Sequence, residues 1–207
     1  MKLVLVDNYD SFTYNILHLF AAQPDVEVMV MRNDDKKINT LLELADVDGI
    51  IIGPGPGDPT NDKYFGSNNA LIKNATVPIL GICLGFQGIA TLYGAKLVQS
   101  MHPKHGKTSK IVHSENKLFT GCPKTFSVMR YHSLIIDMNE GLPSDIQILS
   151  EVSHDDQSYV QNAREVMAIK IKDTQLYGIQ FHPESFASEY GAQIAKNFIA
   201  IAKECKR

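Results

Sequence analysis

Short continuous apolar runs alternate with helix-patterned stretches through the first half of the chain. Leu3 to Val6 is an unbroken apolar run, as a strand buried on both faces requires. Asp10 and Ser11 are suited to cap a helix that starts near Phe12. The apolar positions Phe12, Ile16, Leu19 and Phe20 keep helical spacing up to Pro24. Val26 to Met31 reads as a second strand. A short helix follows, carrying Ile38, Leu41, Leu42 and Ala45. Gly49 to Ile52 is a third strand, Phe65 to Lys73 a helix, and Pro78 to Ile82 a fourth strand. The next helix runs from Leu84 to Tyr93, with Gly94 as the residue just past its end. Strands alternating with helices predict βαβ units and a largely parallel sheet.

The second half changes period. Ile111 to His113, Phe126 to Met129, Gln147 to Val152, Val166 to Ile171 and Leu176 to Phe181 are strand-like, with few helical stretches between them. Asp173-Thr174 marks a hairpin turn. A closing amphipathic helix carries Ile194, Phe198 and Ile201 on one face. With no repeat or linker, residues 1–207 read as one α/β domain with an antiparallel extension.

Composition narrows the function. The chain has 207 residues, and about 150 per domain is usual, which agrees with a single elaborated unit. Apolar residues make up 44% and charged residues 21%, so a packed core is within reach. The net charge of −3 gives no attraction to nucleic acid or to an anionic membrane. No stretch approaches the ~18 apolar residues of a membrane span, and the first strand is too short for a secretory leader. Three widely spaced cysteines, Cys83, Cys122 and Cys205, form no Cys-x-x-Cys pair. Neither a disulfide framework nor a cysteine zinc site is expected, and the reducing cytoplasm is the expected compartment.

Candidate chemistry begins at Gly81-Ile82-Cys83-Leu84-Gly85, between a strand and a helix. This is the nucleophile-elbow pattern with cysteine in the serine position. Flanking glycines leave room for a strained turn that exposes the sulfur. The following helix N-terminus favours a thiolate, and the Leu84 amide points where an oxyanion would form. The plain alternative is a buried cysteine between packing glycines.

Such a cysteine needs a base, and the base needs an orienting group. His182-Pro183-Glu184 closes the last apolar strand, Tyr177 to Phe181. Residues two apart in extended chain share a side, so His182 and Glu184 can both face the sheet's end. The carboxylate would then hold the imidazole in place. A solvated surface turn is the alternative. His102 and His105 fall in a Lys- and Gly-rich stretch read as an exposed loop. Gly53-Pro54-Gly55-Pro56-Gly57-Asp58-Pro59 follows the third strand. Its prolines remove the N–H groups a phosphate cradle needs, so it reads as a stiff loop with chosen amides exposed.

Six motifs in order resemble the class I, triad-type glutamine amidotransferases over essentially the whole chain. They are Asp7 to Asn15, Gly55 to Pro59, Gly81 to Gln87, Gly106 to Ser109, Arg130 to Leu134 and Gln180 to Ser185. The first and fifth are most similar to the small glutaminase subunits of chorismate-aminating synthases, those that make anthranilate for tryptophan or an aminated chorismate for folate. The resemblance implies a three-layer, flavodoxin-like fold with a mostly parallel central sheet and an antiparallel extension. It implies that Cys83 attacks the amide carbon of L-glutamine, that His182 is the base and that Glu184 orients it. A γ-glutamyl thioester would form and be hydrolysed. Gly55 and Leu84 would supply the oxyanion hole. Gly55, Pro56, Gly57, Gln87, Ser133 and Leu134 would line the glutamine site. Ammonia would pass to a chorismate-binding synthase subunit, whose presence the glutaminase site needs for full activity. No metal or cofactor site is implied in this chain, and magnesium would belong to the synthase. Phe86 departs from the pattern, since many relatives carry histidine there. The Asn8 to Phe12 segment is a candidate contact with the synthase, against a plain role in helix capping and core packing. The competing functions are a stand-alone Cys-His-Glu γ-glutamyl hydrolase and a non-catalytic scaffold subunit.

Overall fold

The computed structural model describes residues 1–41, 47–139, 141–156 and 164–205. Its strands are β1 (Lys2–Asp7), β2 (Glu27–Arg32), β3 (Gly49–Ile52), β4 (Ile79–Ile82), β5 (Leu97–His113), β6 (Thr125–Ile136), β7 (Ile146–Val152), β8 (Val166–Ile171) and β9 (Leu176–Ile179). The helices are α1 (Thr13–Ala21), α2 (Ile38–Leu41), α3 (Asp62–Phe65), α4 (Asn68–Asn74), α5 (Leu84–Leu92) and α6 (Gly191–Cys205), with a 3-10 turn at Lys117–Phe119. All nine strands form one sheet in the order β2-β1-β3-β4-β9-β8-β7-β5-β6. The pairings from β2 through β9 are parallel. Those from β9 to β6 are antiparallel. The predicted parallel core with an antiparallel extension is therefore the observed sheet.

Alternation along each central strand feeds two cores. Leu3 and Leu5 of β1 join Ile16 and Phe20 of α1 and Phe198 of α6 on one side of the sheet. Val4 and Val6 join Phe65, Leu71, Ile89 and Ala90 on the other. Phe20 meets Phe198 edge-on at 6.3 Å, which locks α1 to α6. A central strand buried on both faces must be apolar throughout, which is why β1, β3 and β4 lack the polar alternation of a half-exposed strand.

Several boundaries differ from the sequence reading. The stretch holding His102 and His105 is not a loop but part of β5, paired with β6 through two irregularities in register. Both histidines are exposed, as expected. A long two-stranded arm exposed on one side has few buried apolar positions, so its sequence lacks a strand signal. β6 likewise runs on from Met129 to Ile136, placing Ser133 and Leu134 on a strand. The expected helix Phe65 to Lys73 is two short helices broken at Gly66, whose φ is 53°. The N-cap of α1 is Phe12, with no side-chain cap bond. Asp10 acts one step earlier, accepting from the Phe12 amide at 2.8 Å, and Ser11 does not cap. Leu42 and Ala45 of the second predicted helix lie outside the described residues. The Asp173-Thr174 turn does join β8 to β9, with Asp173 at φ 55°.

Candidate active site

Strands β4 and β9 are parallel neighbours, and the Cys83 amide extends their ladder by donating to the Ile179 carbonyl at 2.9 Å. The nucleophile candidate thus leaves the end of one strand while Gln180 to Glu184 leaves the end of the next. Ligand sites in open α/β sheets lie outside these strand ends.

Cys83 has φ 52° and ψ −100°, a backbone conformation most side chains avoid. The turn persists because the chain on both sides is packed without slack. A Cβ on Gly81 would lie 2.4 Å from the Gly85 carbonyl carbon, and one on Gly85 only 2.3 Å from the Ile52 oxygen. These close approaches are the physical reason for glycine two residues before and after the cysteine. Leu84 begins α5, so its amide belongs to the first turn, whose N–H groups have no partner within the helix. A Cβ on Gly55 would sit 2.6 Å from the Asn8 Cβ and 2.8 Å from a Leu84 methyl. The Gly-Pro loop is therefore pressed against the start of α5, bringing the two oxyanion-hole candidates together. Asn8 holds that loop by donating to the Gly53 carbonyl at 2.8 Å, and it accepts from Asn33 and Asn68.

His182 and Glu184 do meet, but not along extended chain: Pro183 and Glu184 form a turn, closed by the Ser185 amide donating to the His182 carbonyl at 3.3 Å. The imidazole Nδ1 meets Glu184 Oε1 at 2.7 Å, with both side chains essentially buried. The His182 amide donates to the Met129 carbonyl at 3.0 Å, tying the turn to β6. Tyr131 and Phe12 stand edge-on to the ring at 5.0 and 5.8 Å. Burial of the ring acts to lower its pKa. The close Cys83 sulfur and the Glu184 carboxylate outweigh that and push it up to about 10. Nε2 has no well-aligned hydrogen-bond partner, and the Cys83 sulfur is the acceptor within its reach. The arrangement is that of a cysteine sulfur beside an imidazole that a carboxylate orients.

Ser133 and Leu134 follow His132 on β6. His132 is buried, and its pKa is lowered to about 3, first by desolvation and then by the Arg130 charge. It is neutral near pH 7. Its Nε2 accepts from Arg130 Nε at 3.1 Å, which leaves the proton on Nδ1, donated to the Leu134 carbonyl at 3.0 Å. The same carbonyl accepts from Gln87 Nε2 at 3.2 Å. The second hydrogen on that nitrogen goes to Gln180 Oε1 at 3.1 Å. Arg130 is fully buried and paired with Glu165. Phe86 points away from this network into the core beneath Gly178, where a Cβ would touch its ring at 2.9 Å. The sequence reading gave no role to Gln180, Tyr131 or Arg130. Their motif membership was visible, but nothing in a linear sequence shows which side chains meet.

The two histidines set opposite pH limbs. A raised His182 pKa contributes stability that is complete below pH 6.5 and is lost as pH rises toward 10. A lowered His132 pKa removes stability as pH falls from 6.5 toward 3, because only the unfolded chain takes up that proton. Urea unfolding across this range should show a maximum near neutrality. His182→Ala should flatten the alkaline limb, and an unchanged limb would refute the ion pair.

The class-I glutamine amidotransferase family model matches residues 4–202. Anthranilate synthase component 2 of Leptospira biflexa is 39% identical, over 96% of this chain and 99% of that protein. Aminodeoxychorismate synthase of Streptomyces pristinaespiralis is 36% identical over 96% of this chain, which spans only 26% of that longer protein. The solved structure of a Thermoplasma acidophilum protein, assigned as part of a GMP synthase, aligns with a TM-score of 0.83 at 28% identity. That alignment covers 100% of this chain and 96% of the other. An elbow cysteine beside a carboxylate-held histidine, on a sheet of this topology and with these relatives, makes the chain a member of the class I glutamine amidotransferases.

Proposed function

We propose that this chain is the glutaminase subunit of a chorismate-aminating synthase, supplying ammonia for anthranilate formation. The observation that carries the reading is the buried Cys83, His182 and Glu184 constellation at the ends of β4 and β9, in a chain matching a component 2 protein along nearly its full length. The whole chain 1–207 acts as a single glutamine amidotransferase domain.

The chemistry follows from the geometry. The Cys83 thiolate attacks the side-chain amide carbon of L-glutamine, and the oxyanion is met by the Gly55 and Leu84 amides. The C–N bond breaks as His182 delivers its proton to the departing nitrogen, leaving a γ-glutamyl thioester and ammonia. His182 then takes a proton from water, which attacks the thioester, and thiolate and glutamate are released. Glu184 keeps the ring oriented throughout. Ser133 and Leu134 hold the α-groups of glutamine, with Pro56 and Gly57 lining the entrance. Both hydrogens of Gln87 Nε2 are already donated, so its carbonyl is the group left for the substrate's α-ammonium.

The ammonia acceptor is chorismate bound on a separate synthase subunit. The exposed rings of Tyr9 and Phe186, flanking Phe12 and His182 in sequence, suit the docking face for it. This chain uses no cofactor or metal of its own, and any magnesium belongs to the synthase. It is not a nucleic-acid or membrane binder, and its three free cysteines suit the cytoplasm. The aminodeoxychorismate relatives make folate-branch amination the second reading.

The test mixes this protein, glutamine and chorismate with a synthase subunit of the anthranilate type and, separately, with one of the aminodeoxychorismate type. Fluorescent anthranilate in the first mixture is expected. Product in the second alone would move the protein to the folate branch. No product in either, with γ-glutamyl peptides turned over by the protein alone, would replace the reading by a stand-alone γ-glutamyl hydrolase.

A further inference from the structure

We propose that Gln180 is a further catalytic residue, whose side-chain amide donates a hydrogen bond to the Cys83 sulfur and stabilises it as thiolate. The inference rests on Cys83 being the nucleophile. Gln180 Nε2 lies 3.7 Å from Sγ, and the residue is fully buried.

Two features fix that amide. Gln180 is the first residue past β9, and its own N–H donates to the Met167 carbonyl at 2.8 Å, extending the strand ladder. That bond holds the backbone from which the side chain reaches the sulfur. Its Oε1 accepts from Gln87, whose other hydrogen is held by Leu134. Turning the amide over would set two NH2 groups against each other and a carbonyl against the sulfur. The network thus permits one orientation, with the donor on the sulfur.

The contribution differs from that of His182. The imidazolium stabilises the thiolate before attack but gives up its proton when ammonia leaves. Gln180 keeps its hydrogen through the whole cycle. Its bond is strong to a thiolate and weak to a thioester sulfur, because a charged acceptor strengthens it. It therefore helps form the nucleophile before attack and helps the thiolate leave in the hydrolysis step. Cys83 as a residue is only 7% exposed, so little water is at hand to do the same.

The test follows iodoacetamide alkylation of Cys83 against pH in the full-length protein, for wild type, Gln180→Glu and Gln180→Met. Glutamate retains the contact with Gln87 but places a negative oxygen against the sulfur. Methionine fills the space without a donor. Both variants should alkylate at least about tenfold more slowly at pH 7, with the rate recovering about one pH unit higher. A merely structural role would change the melting temperature and leave this profile in place. Wild-type profiles in folded variants would overturn the proposal. A measurement on Gln180 itself needs no substitution at that position: its side-chain amide proton resonance should move upfield in Cys83→Ala, and no movement would equally overturn it. If Cys83→Ala retains glutamine-dependent activity, the nucleophile assignment has failed instead, so the two failures are separable.

Discussion

Cys83→Ala is expected to cut glutamine-dependent product formation on the order of 10⁴-fold or more, while amination from added ammonium salts persists in the complex. Loss of a covalent nucleophile removes the thioester route altogether, and only substrate positioning and the oxyanion donors remain. The synthase chemistry needs ammonia, not its source, so saturating ammonium bypasses the lesion. The fold should tolerate the change. Removing one sulfur leaves the Gln180 amide short of an acceptor, a penalty of about 1–3 kcal/mol. It also relieves the enclosure of a thiolate. Product assays with each nitrogen source, alongside a thermal melt, check this. Full glutamine-dependent activity in the variant would remove Cys83 from the mechanism.

The largest stability effect is expected at Glu165. Arg130 is completely buried and its carboxylate partner is nearly so. Ser109 Oγ and His132 Nε2 are its other partners, each at 3.1 Å. Desolvation pulls the arginine's pKa down, and the Glu165 charge works against that fall. Glu165→Ala leaves a buried guanidinium with neutral hydrogen-bond partners and only the weaker influence of the Asp156 charge. Urea denaturation should show a loss of about 3–5 kcal/mol, read as a lower midpoint at unchanged slope. The double change Glu165→Leu with Arg130→Met should recover much of it, since no uncompensated charge remains. A loss below about 1 kcal/mol for Glu165→Ala would show that the pair carries little. The pair also bears on the site. In Arg130→Met, His132 loses the donor that fixes its tautomer, so its grip on the Leu134 carbonyl loosens. KM for glutamine should then rise more than kcat falls.

The central α/β layers were legible because burial on both faces leaves its mark on each strand. Leu3 to Val6, Gly49 to Ile52 and Pro78 to Ile82 carry no polar residue, and the helices between them keep a clear period. Of the β5–β6 arm only the ends Ile111 to His113 and Phe126 to Met129 were legible. Its outward positions, among them Met101, His102 and Lys107, are exposed, so pairing across the arm rather than burial decides its structure. The same holds in the site. Cys83, His182 and Glu184 could be read because their spacing along the chain reflects a local geometry, a strained turn after β4 in one case and a tight turn past β9 in the other. Gln87, Gln180 and Leu134 meet only because α5, the chain just past β9 and the strand β6 come together in the fold. The 47-residue gap from Gln87 to Leu134 and the 93-residue gap to Gln180 leave no local pattern to find.

The two halves of the site leave neighbouring parallel strands, so their meeting depends on count. Cys83 is the first residue past β4 and His182 the third past β9, and the β4–β9 register holds both counts against each other. One residue more or fewer between Ile179 and Gln180 would carry amide, imidazole and carboxylate together by about 3.3 Å against a fixed sulfur. No rotamer change could restore every contact at once. Length can vary at the tip of a hairpin, but this stretch is open to substitution only.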